Sequence, residues 1–478
     1  MNFVVYDIIF LVLFALFLVL FLYKRRKHLA RQGLLYLYRT KIGLKIIDYT
    51  AKKYKKILKP LQYLIIASGF ALMISMIYLL IRFTFVYLSS PLAAQTLKVP
   101  VLTPLIPYLP SLFKLDFLPP FYFAYWIIII AIIAIPHEFA HGIFAKLNKI
   151  KVHSTGFGFL GPFLAAFVEP DEKQMEKLKK VPQMAILAAG TFANVLTTIV
   201  FALLMWAFFV LAFVPVGVNL INVYPISTVN VSDIATLEGL PLSSLNITDI
   251  NSTLVKIRYH NESRFIGLDI LNLTLVKGSN LTFIYDNSPA FESRLAGEPS
   301  LLNFGVSSAI TQVNGIKTAS ITKLNSTLRS FKPGDTVNIT TSFNSKEETK
   351  SITLADNNGT AYLGIATMPS QPESKSIISL FYALLSKVKS PSILYESRIG
   401  DLGMFIYNLL WWIIIVCFGV ALTNMIPVGI FDGGRFFFLT IWGITGSKKV
   451  GEIAFKASTW IILLIVVALM AQWFVAVF

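Results

Sequence analysis

Six long apolar runs leave this chain few ways to fold. They cover residues 5–22, 61–82, 122–145, 183–213, 403–427 and 456–478. A bilayer span takes about 20 mostly apolar residues. Inside hydrocarbon the backbone must satisfy its own hydrogen bonds, so each run is expected to be a helix. No Asp, Glu, Lys or Arg occurs from 181 to 232, so the fourth span is expected to be long and tilted or extended. Residues 435–446, RFFFLTIWGITG, are too short to cross alone and are expected to be interfacial or re-entrant. Charged residues make up only 14% of the chain and hydrophobic ones 55%, where a soluble domain carries roughly 25% charged. Disordered, coiled-coil and secreted disulfide-scaffold chains are excluded. The one cysteine, Cys417, excludes an intramolecular disulfide and a cysteine metal cluster.

The net charge is +17. A basic excess can serve nucleic acid, but no base-stacking module accompanies it, and no nucleic-acid partner is expected. Its position fits the cytoplasmic side of a membrane instead. Residues 24–59 hold 13 Lys/Arg against one acid, Asp48, directly after the first apolar run. That run carries Asp7 and lacks a basic leader, so it reads as a retained anchor with its N-terminus outside. Alternation then puts 146–182 and Lys448–Lys449 inside and 215–400 outside, with lysine on every inside segment. Segment 28–59, with Leu and Ile at helical spacing, is expected to lie on the anionic inner surface or to bind a partner.

Every N-x-S/T sequon falls within 215–400, at Asn230, Asn246, Asn251, Asn261, Asn272, Asn280, Asn325, Asn338 and Asn358. Sequons mark glycan sites on exported segments, although a chain rich in Asn, Ser and Thr also makes them by composition. Residues 215–370 alternate short β-like runs, such as those near 272, 308 and 335, with turn signals. Asn314-Gly315 is a hairpin dipeptide, Pro333-Gly334-Asp335 a turn, and 320–331 a helix between two strands. The pieces Ser288-Pro289-Ala290, Ile310 to Gly315, Lys332 to Asp335 and Tyr362-Leu363-Gly364-Ile365 resemble a PDZ domain of protease type. The last tetrad would then be a loop whose N–H groups capture a peptide C-terminus. SLLNFGVSS stands where that pattern has Gly-Asp, and 215–285 exceeds a single such unit. An anonymous β-sandwich spacer is the alternative.

The third apolar run contains His137-Glu138-Phe139-Ala140-His141. Residues four apart share one helix face, so both imidazoles can reach one metal ion while Glu138 stands beside it as general base. Three ionisable residues within one apolar helix default to function. A His–Glu helix–helix contact is the packing alternative. A catalytic zinc takes three protein ligands and leaves one position open. His153 and Glu169 are weak third candidates, and Asp432 is the better placed, although alone it also reads as a turn aspartate before Gly433-Gly434.

The intramembrane H-E-x-x-H together with the later Asn424-x-x-Pro427-x-x-x-x-Asp432-Gly433-Gly434 resembles the site-2 protease family of intramembrane zinc metalloproteases. The resemblance implies that His137, His141 and Asp432 hold Zn2+ and that Glu138 activates water. It implies that Asn424 positions the substrate or the developing oxyanion, and that Pro427 and the two glycines shape the break that aims Asp432. Residues 156–172, GFGFLGPFLAAFVEPDE, are similar to the family's re-entrant hairpin. Ala188 to Asn194 is similar to its A-G-P-x-x-N stretch, with Thr191 in the place of Pro; Asn194 reads equally as interhelical glue.

The expected fold is a polytopic α-helical membrane protein of about six transmembrane helices with an inserted β-rich PDZ-like extracytoplasmic domain. Its expected segments are 1–60 (anchor and basic segment), 61–120 (second helix and outer loop), 121–214 (first part of the protease core), 215–400 (PDZ-like domain) and 401–478 (second part of the core and last helix). The expected activity is peptide-bond hydrolysis within transmembrane segments, at a site near the cytoplasmic face of the cell membrane. Expected partners are the bilayer, a transmembrane substrate already trimmed by another protease, and a peptide C-terminus at the PDZ-like domain. A catalytically inactive membrane-embedded PDZ protein with a structural metal site is the chief alternative. A metal transporter and a protease class with glutamate as third ligand are others.

Overall fold

The computed structural model describes residues 3–32, 35–89, 105–113, 115, 118–160, 163–221, 224–241, 253–260, 262–276, 279–298, 306–343, 346–365 and 389–477. The chain forms two compact units, one of Met1–Phe208 with Met404–Phe478 and the other of Phe209–Gly403.

The first unit is helical. It contains α1 (Phe3–Arg25), α2 (Leu44–Lys53), α3 (Lys55–Ser89), α4 (Phe123–Leu147) and α5 (Lys180–Ala212). Two helices of the second unit are α6 (Leu268–Val276) and α7 (Ile321–Leu328). The chain returns to the first unit with α8 (Asp401–Thr423), α9 (Asp432–Thr445) and α10 (Lys448–Val477). Six of these, α1, α3, α4, α5, α8 and α10, are long and apolar enough to cross a membrane. They leave Leu13, Phe17, Leu64, Ile74, Leu203 and Trp460 exposed, an apolar surface of the kind that lipid covers. Residues 435–446 belong to α9, a short separate helix that ends on Gly446 in the left-handed region, φ 71°.

Two apolar cores hold this unit together. Ile47, Ile65, Met73, Phe144, Ile186, Met425 and Phe436 belong to one; Tyr125, Trp126, Ile129, Trp412 and Cys417 belong to the other. The buried carboxylate of Asp7 on α1 accepts from the Phe123 and Ala124 N–H groups, at 2.6 and 2.8 Å, and from the Tyr108 hydroxyl at 2.5 Å. It thereby caps the start of α4, whose first N–H groups have no partner within the helix. The acid that departs from a leader sequence is thus a helix cap reaching across from another span.

A four-stranded antiparallel sheet lies in the same unit, in the order β1-β2-β3-β4. Its strands are β1 (Leu29–Gln32), β2 (Leu35–Thr40), β3 (Val152–Leu160) and β4 (Phe163–Pro170). The helical spacing expected across 28–59 therefore holds for α2 and the start of α3 but not for β1 and β2. There the alternating Leu35-Tyr36-Leu37-Tyr38 suits a pleated strand, and β2 pairs with β3 from Tyr36↔Phe159 to Thr40↔Thr155. Gly156 permits this approach, since a Cβ there would meet the Tyr38 carbonyl oxygen at 2.1 Å.

The second unit has two six-stranded sheets on one core. Strands β5 (Phe213–Ile221), β12 (Val306–Val313), β14 (Thr336–Phe343), β15 (Lys346–Thr353) and β18 (Ile393–Ser397) run in the order β15-β14-β12-β5-β18, and β13 (Ile316–Lys317) turns back on β12. The β12–β13 turn uses Asn314 and Gly315, both at positive φ, as a two-residue hairpin requires. The other sheet, in the order β6-β11-β10-β9-β7-β8, is built from β6 (Ile226–Asn230), β7 (Ile234–Leu237), β8 (Leu240–Pro241), β9 (Leu254–Tyr259), β10 (Glu262–Gly267) and β11 (Leu281–Tyr285). A small hairpin joins β16 (Ala355–Asn357) to β17 (Thr360–Tyr362).

Val218, Ile257, Tyr285, Ile310, Leu324 and Val337, from both sheets and α7, share one core with Phe291 of the short helix Pro289–Glu292. This is the inserted β-rich, PDZ-like domain, and strands β6 to β11, drawn from the extra residues, form its second sheet. The β-like run near 272 is instead α6. Ile270, Leu271 and Thr274 are buried at helical spacing, and that stripe prevails over the alternation of the leucines. Leu363 carbonyl oxygen accepts from Ala290 N–H at 2.9 Å and Gly364 carbonyl oxygen from the Ser288 hydroxyl at 3.3 Å, which fixes the Tyr362–Ile365 tetrad. Sequon residues Asn230, Asn272, Asn280, Asn325, Asn338 and Asn358 are exposed; Asn246, Asn251 and Asn261, and most of SLLNFGVSS, lie outside the described residues.

Candidate metal centre

His137 and His141 lie one turn apart on α4 and turn their Nε2 atoms toward each other, 3.0 Å apart. Asp432, the first residue of α9, brings Oδ2 to 3.4 Å from His137 Nε2 and 3.3 Å from His141 Nε2. All three ligand atoms lie within 4.8 Å of one another. A tetrahedral zinc with bonds of 2.0–2.1 Å sets its ligand atoms about 3.3–3.4 Å apart. Two imidazole nitrogens and a carboxylate oxygen at this spacing fit such an ion and leave a fourth position open.

Asp432 reaches this place because the loop after α8 folds back on the start of α9. Gly433 N–H donates to the Asn424 carbonyl at 2.8 Å and Gly434 N–H to the Phe431 carbonyl at 3.1 Å. A Cβ on Gly433 would meet the Met425 carbonyl carbon at 2.3 Å, and one on Gly434 the Val428 carbonyl oxygen at 2.4 Å. Only glycine allows this fold-back. The helix N-terminus also favours the carboxylate. Asn424 acts here through its backbone; its half-buried carboxamide makes no hydrogen bond to another described residue.

One face of α5 closes the site from behind. Its carbonyl at Ile186 lies 2.7 Å from His141 Nδ1, which therefore donates to it and leaves Nε2 bare for a metal. The carboxamide of Asn194 lies 3.1 Å from His137 Nδ1. With its Oδ1 turned to accept from Nδ1–H, it fixes the same tautomer on His137 and satisfies an otherwise unpartnered buried oxygen. Between them, Gly190 leaves room for the imidazoles. A Cβ there would stand 2.3 Å from His141 Nε2 and 2.6 Å from His137 Nε2, the two donor atoms themselves. Residues 186, 190 and 194 are spaced by four, so one stripe of α5 forms the whole cradle. Asn194→Ala is expected to weaken metal affinity about 10–100-fold, measured by competition with a chelating dye of known affinity.

Glu138 sits on the same helix. Its Oε2 accepts from the Val168 N–H of edge strand β4 at 2.9 Å; its Oε1 is without a partner among the described residues. The neighbouring Glu169 is tied across the sheet. Arg39 on β2 holds it with two bonds of 3.1 Å, and the Ser154 hydroxyl on β3 donates to it at 2.6 Å. These bonds hold the Glu169 carboxyl below the usual range. Their contribution is full above the ordinary glutamate pKa of about 4.3 and is lost as pH falls below it. Neither Glu169 nor His153 joins the metal group; His153 lies 3.4 Å from Asp171. Arg39→Met is expected to loosen β4 and lower stability by about 1 kcal/mol or less, the scale of one partly exposed pair, with metal content unchanged; Arg39→Lys should restore part of it, as a shift in thermal midpoint would show.

The family model of peptidase family M50 matches residues 125–468, a stretch holding both halves of this centre. The chain belongs to peptidase family M50. It is therefore an integral multi-pass membrane protein of a metalloprotease family. An uncharacterized protein of Methanocaldococcus jannaschii is 34% identical over 169 residues, which are 34% of this M50 chain and 41% of that relative. The chain thus spans under half the length of the curated relative it matches. Among solved structures, the PDZ domain of an SdrC-like protein from Listeria innocua is 33% identical over 13% of this chain and 72% of its own, with a TM-score of 0.12. The corresponding domain from Listeria monocytogenes is 28% identical over 17% of this chain and 77% of its own, with a TM-score of 0.14.

Proposed function

We propose that the protein is an intramembrane zinc metalloprotease that hydrolyses peptide bonds within the transmembrane segments of membrane-anchored proteins. The observation that carries this reading is the triad of His137, His141 and Asp432 at tetrahedral spacing with Glu138 on the next position of the same helix. Zinc bound there would polarise the scissile carbonyl and acidify a water beside it. Glu138 is steadied through Oε2 by Val168 and takes the water's proton on its other oxygen. It then returns that proton to the leaving amine. Asn424, at the turn after α8, would reach the substrate carbonyl. Beyond Val168, whose N–H is taken by Glu138, the edge strand β4 would offer backbone groups to a substrate strand, and a helical substrate must unwind first, because its own hydrogen bonds shield the peptide bond.

His141 lies six residues before the end of α4, about 9 Å at 1.5 Å per residue. With the lysine-bearing segments inside, the site is near the cytoplasmic face of the cell membrane, and 215–400 lies outside. There the PDZ-like domain would filter substrates by size, or read the C-terminus left by an earlier protease. A catalytically inactive protein with a structural metal site is the competing reading. An intact base, which such a site does not need, favours the enzyme.

The test begins with metal analysis of the full chain in detergent. One zinc per chain, largely lost in Asp432→Ala, is the expected result; zinc fully retained in the variant would mean a different third ligand. Cleavage of a reconstituted single-span reporter then separates enzyme from inactive protein.

A further inference from the structure

Two adjoining surface cavities lie where α3 and α5 begin and α4 ends. One, of about 590 Å³, is lined by Lys52, Lys55, Lys59, Lys146, Lys149 and Lys151. The other, of about 740 Å³, shares Lys59 and Asn148 with it and adds Lys179 and Lys180. Asp48 is the one acidic residue on either wall, and it is already paired with Lys146 at 3.0 Å. Lys180 donates to the Trp442 carbonyl and stacks on that ring. The side chains of Lys52, Lys55, Lys59, Lys149, Lys151 and Lys179 have no partner among the described residues.

Ammonium groups gathered this way repel one another, and a phosphate-bearing anion relieves the repulsion. The larger cavity also has an apolar wall of Pro60, Tyr63, Val181 and Pro182. Tyr63 and its neighbour Leu64 are exposed where the apolar part of α3 begins. A free anion would use only the lysines. A lipid uses both walls, with its headgroup on the lysines and its glycerol and first methylenes along Tyr63 and Val181. We propose that these cavities bind the phosphate headgroup of an anionic membrane lipid. The basic segment after the first span thus forms part of a built site at the end of the helices, beyond a general attraction to the inner surface.

The test uses the full chain in uncharged detergent and follows its thermal midpoint at constant ionic strength. The probes are dioctanoyl phosphatidylglycerol, dioctanoyl phosphatidylcholine and inorganic phosphate. Phosphatidylglycerol should half-saturate the shift at a concentration at least about tenfold below the other two. Replacing Lys52, Lys55, Lys59 and Lys149 together by Gln should raise that concentration at least about tenfold, and the same four as Arg should retain the response. Gln at the exposed Lys317, Lys323, Lys332 and Lys346 should leave it unchanged. Should the fourfold Gln variant not fold, Lys52→Gln with Lys149→Gln should still weaken binding about threefold or more. An equal response to phosphatidylcholine, or no effect of the cavity variants, overturns the proposal. Half-saturation by inorganic phosphate at or below the lipid concentration would make the occupant a free anion and overturn the lipid assignment.

Discussion

Glu138→Gln is expected to lower peptide-bond hydrolysis by about 10²–10⁴-fold while zinc content stays at that of the wild type, the range over which a positioned base contributes. The substitution isolates the proton transfer. A glutamine oxygen can still accept from Val168 N–H, as Glu138 Oε2 does at 2.9 Å, so β4 keeps its anchor. Glutamine cannot take a proton from water at neutral pH. Parallel measurement of cleavage and metal content checks the result. A variant that keeps a tenth or more of the wild-type rate would sink the assignment of Glu138 as base. A variant that loses its metal would show instead that the carboxylate organises the site.

Gly190→Ala should be as severe by a different route. An added Cβ would stand 2.3 and 2.6 Å from the Nε2 atoms of His141 and His137, where a metal ion needs both lone pairs. Zinc affinity is expected to fall by at least about 100-fold, as for loss of a group that orients a ligand, and cleavage with it. Helix propensity runs the other way, since glycine to alanine inside a helix gains about 0.5–1 kcal/mol. Loss of zinc without loss of fold would therefore be steric. Gly443→Ala is the matched control. Its Cβ would meet only the Lys180 Cδ, at 3.9 Å, and metal content should be unchanged.

The parts of the site that announce themselves in the sequence are side chains with rare chemistry. Two histidines four apart in an apolar helix carry a strong signal, because so costly a placement has few reasons. Asp432 needed its Asn-Pro-Gly context to rise above an ordinary turn residue. The partners that align these side chains are mostly backbone atoms. The Ile186 carbonyl and the Val168 N–H carry no residue identity, so no reading of letters could find them. Asn194 and Gly190 stand out, but only the fold tells that they touch imidazoles rather than a neighbouring helix. The strands at 29–40 were hidden for a related reason. β1 pairs with β2, and β2 pairs with β3, more than a hundred residues away, so tertiary pairing overrode a helical spacing. In α6 the reverse occurred, and buried residues at helical spacing overrode apparent alternation.

The stripe on α5 has a mechanical consequence. Each imidazole has one nitrogen committed to α5, and the room between them is one absent methyl group wide. Sliding α5 along α4 by 1.5 Å, the rise of a single residue, would carry the Ile186 carbonyl off one ring and the Asn194 carboxamide off the other. The pair of helices therefore behaves as one rigid jaw. On the proposed reading, β4 is tied to the same pair through Glu138 and Val168, and the motion that admits a peptide falls to parts outside it, the loop leading to Asp432 among them.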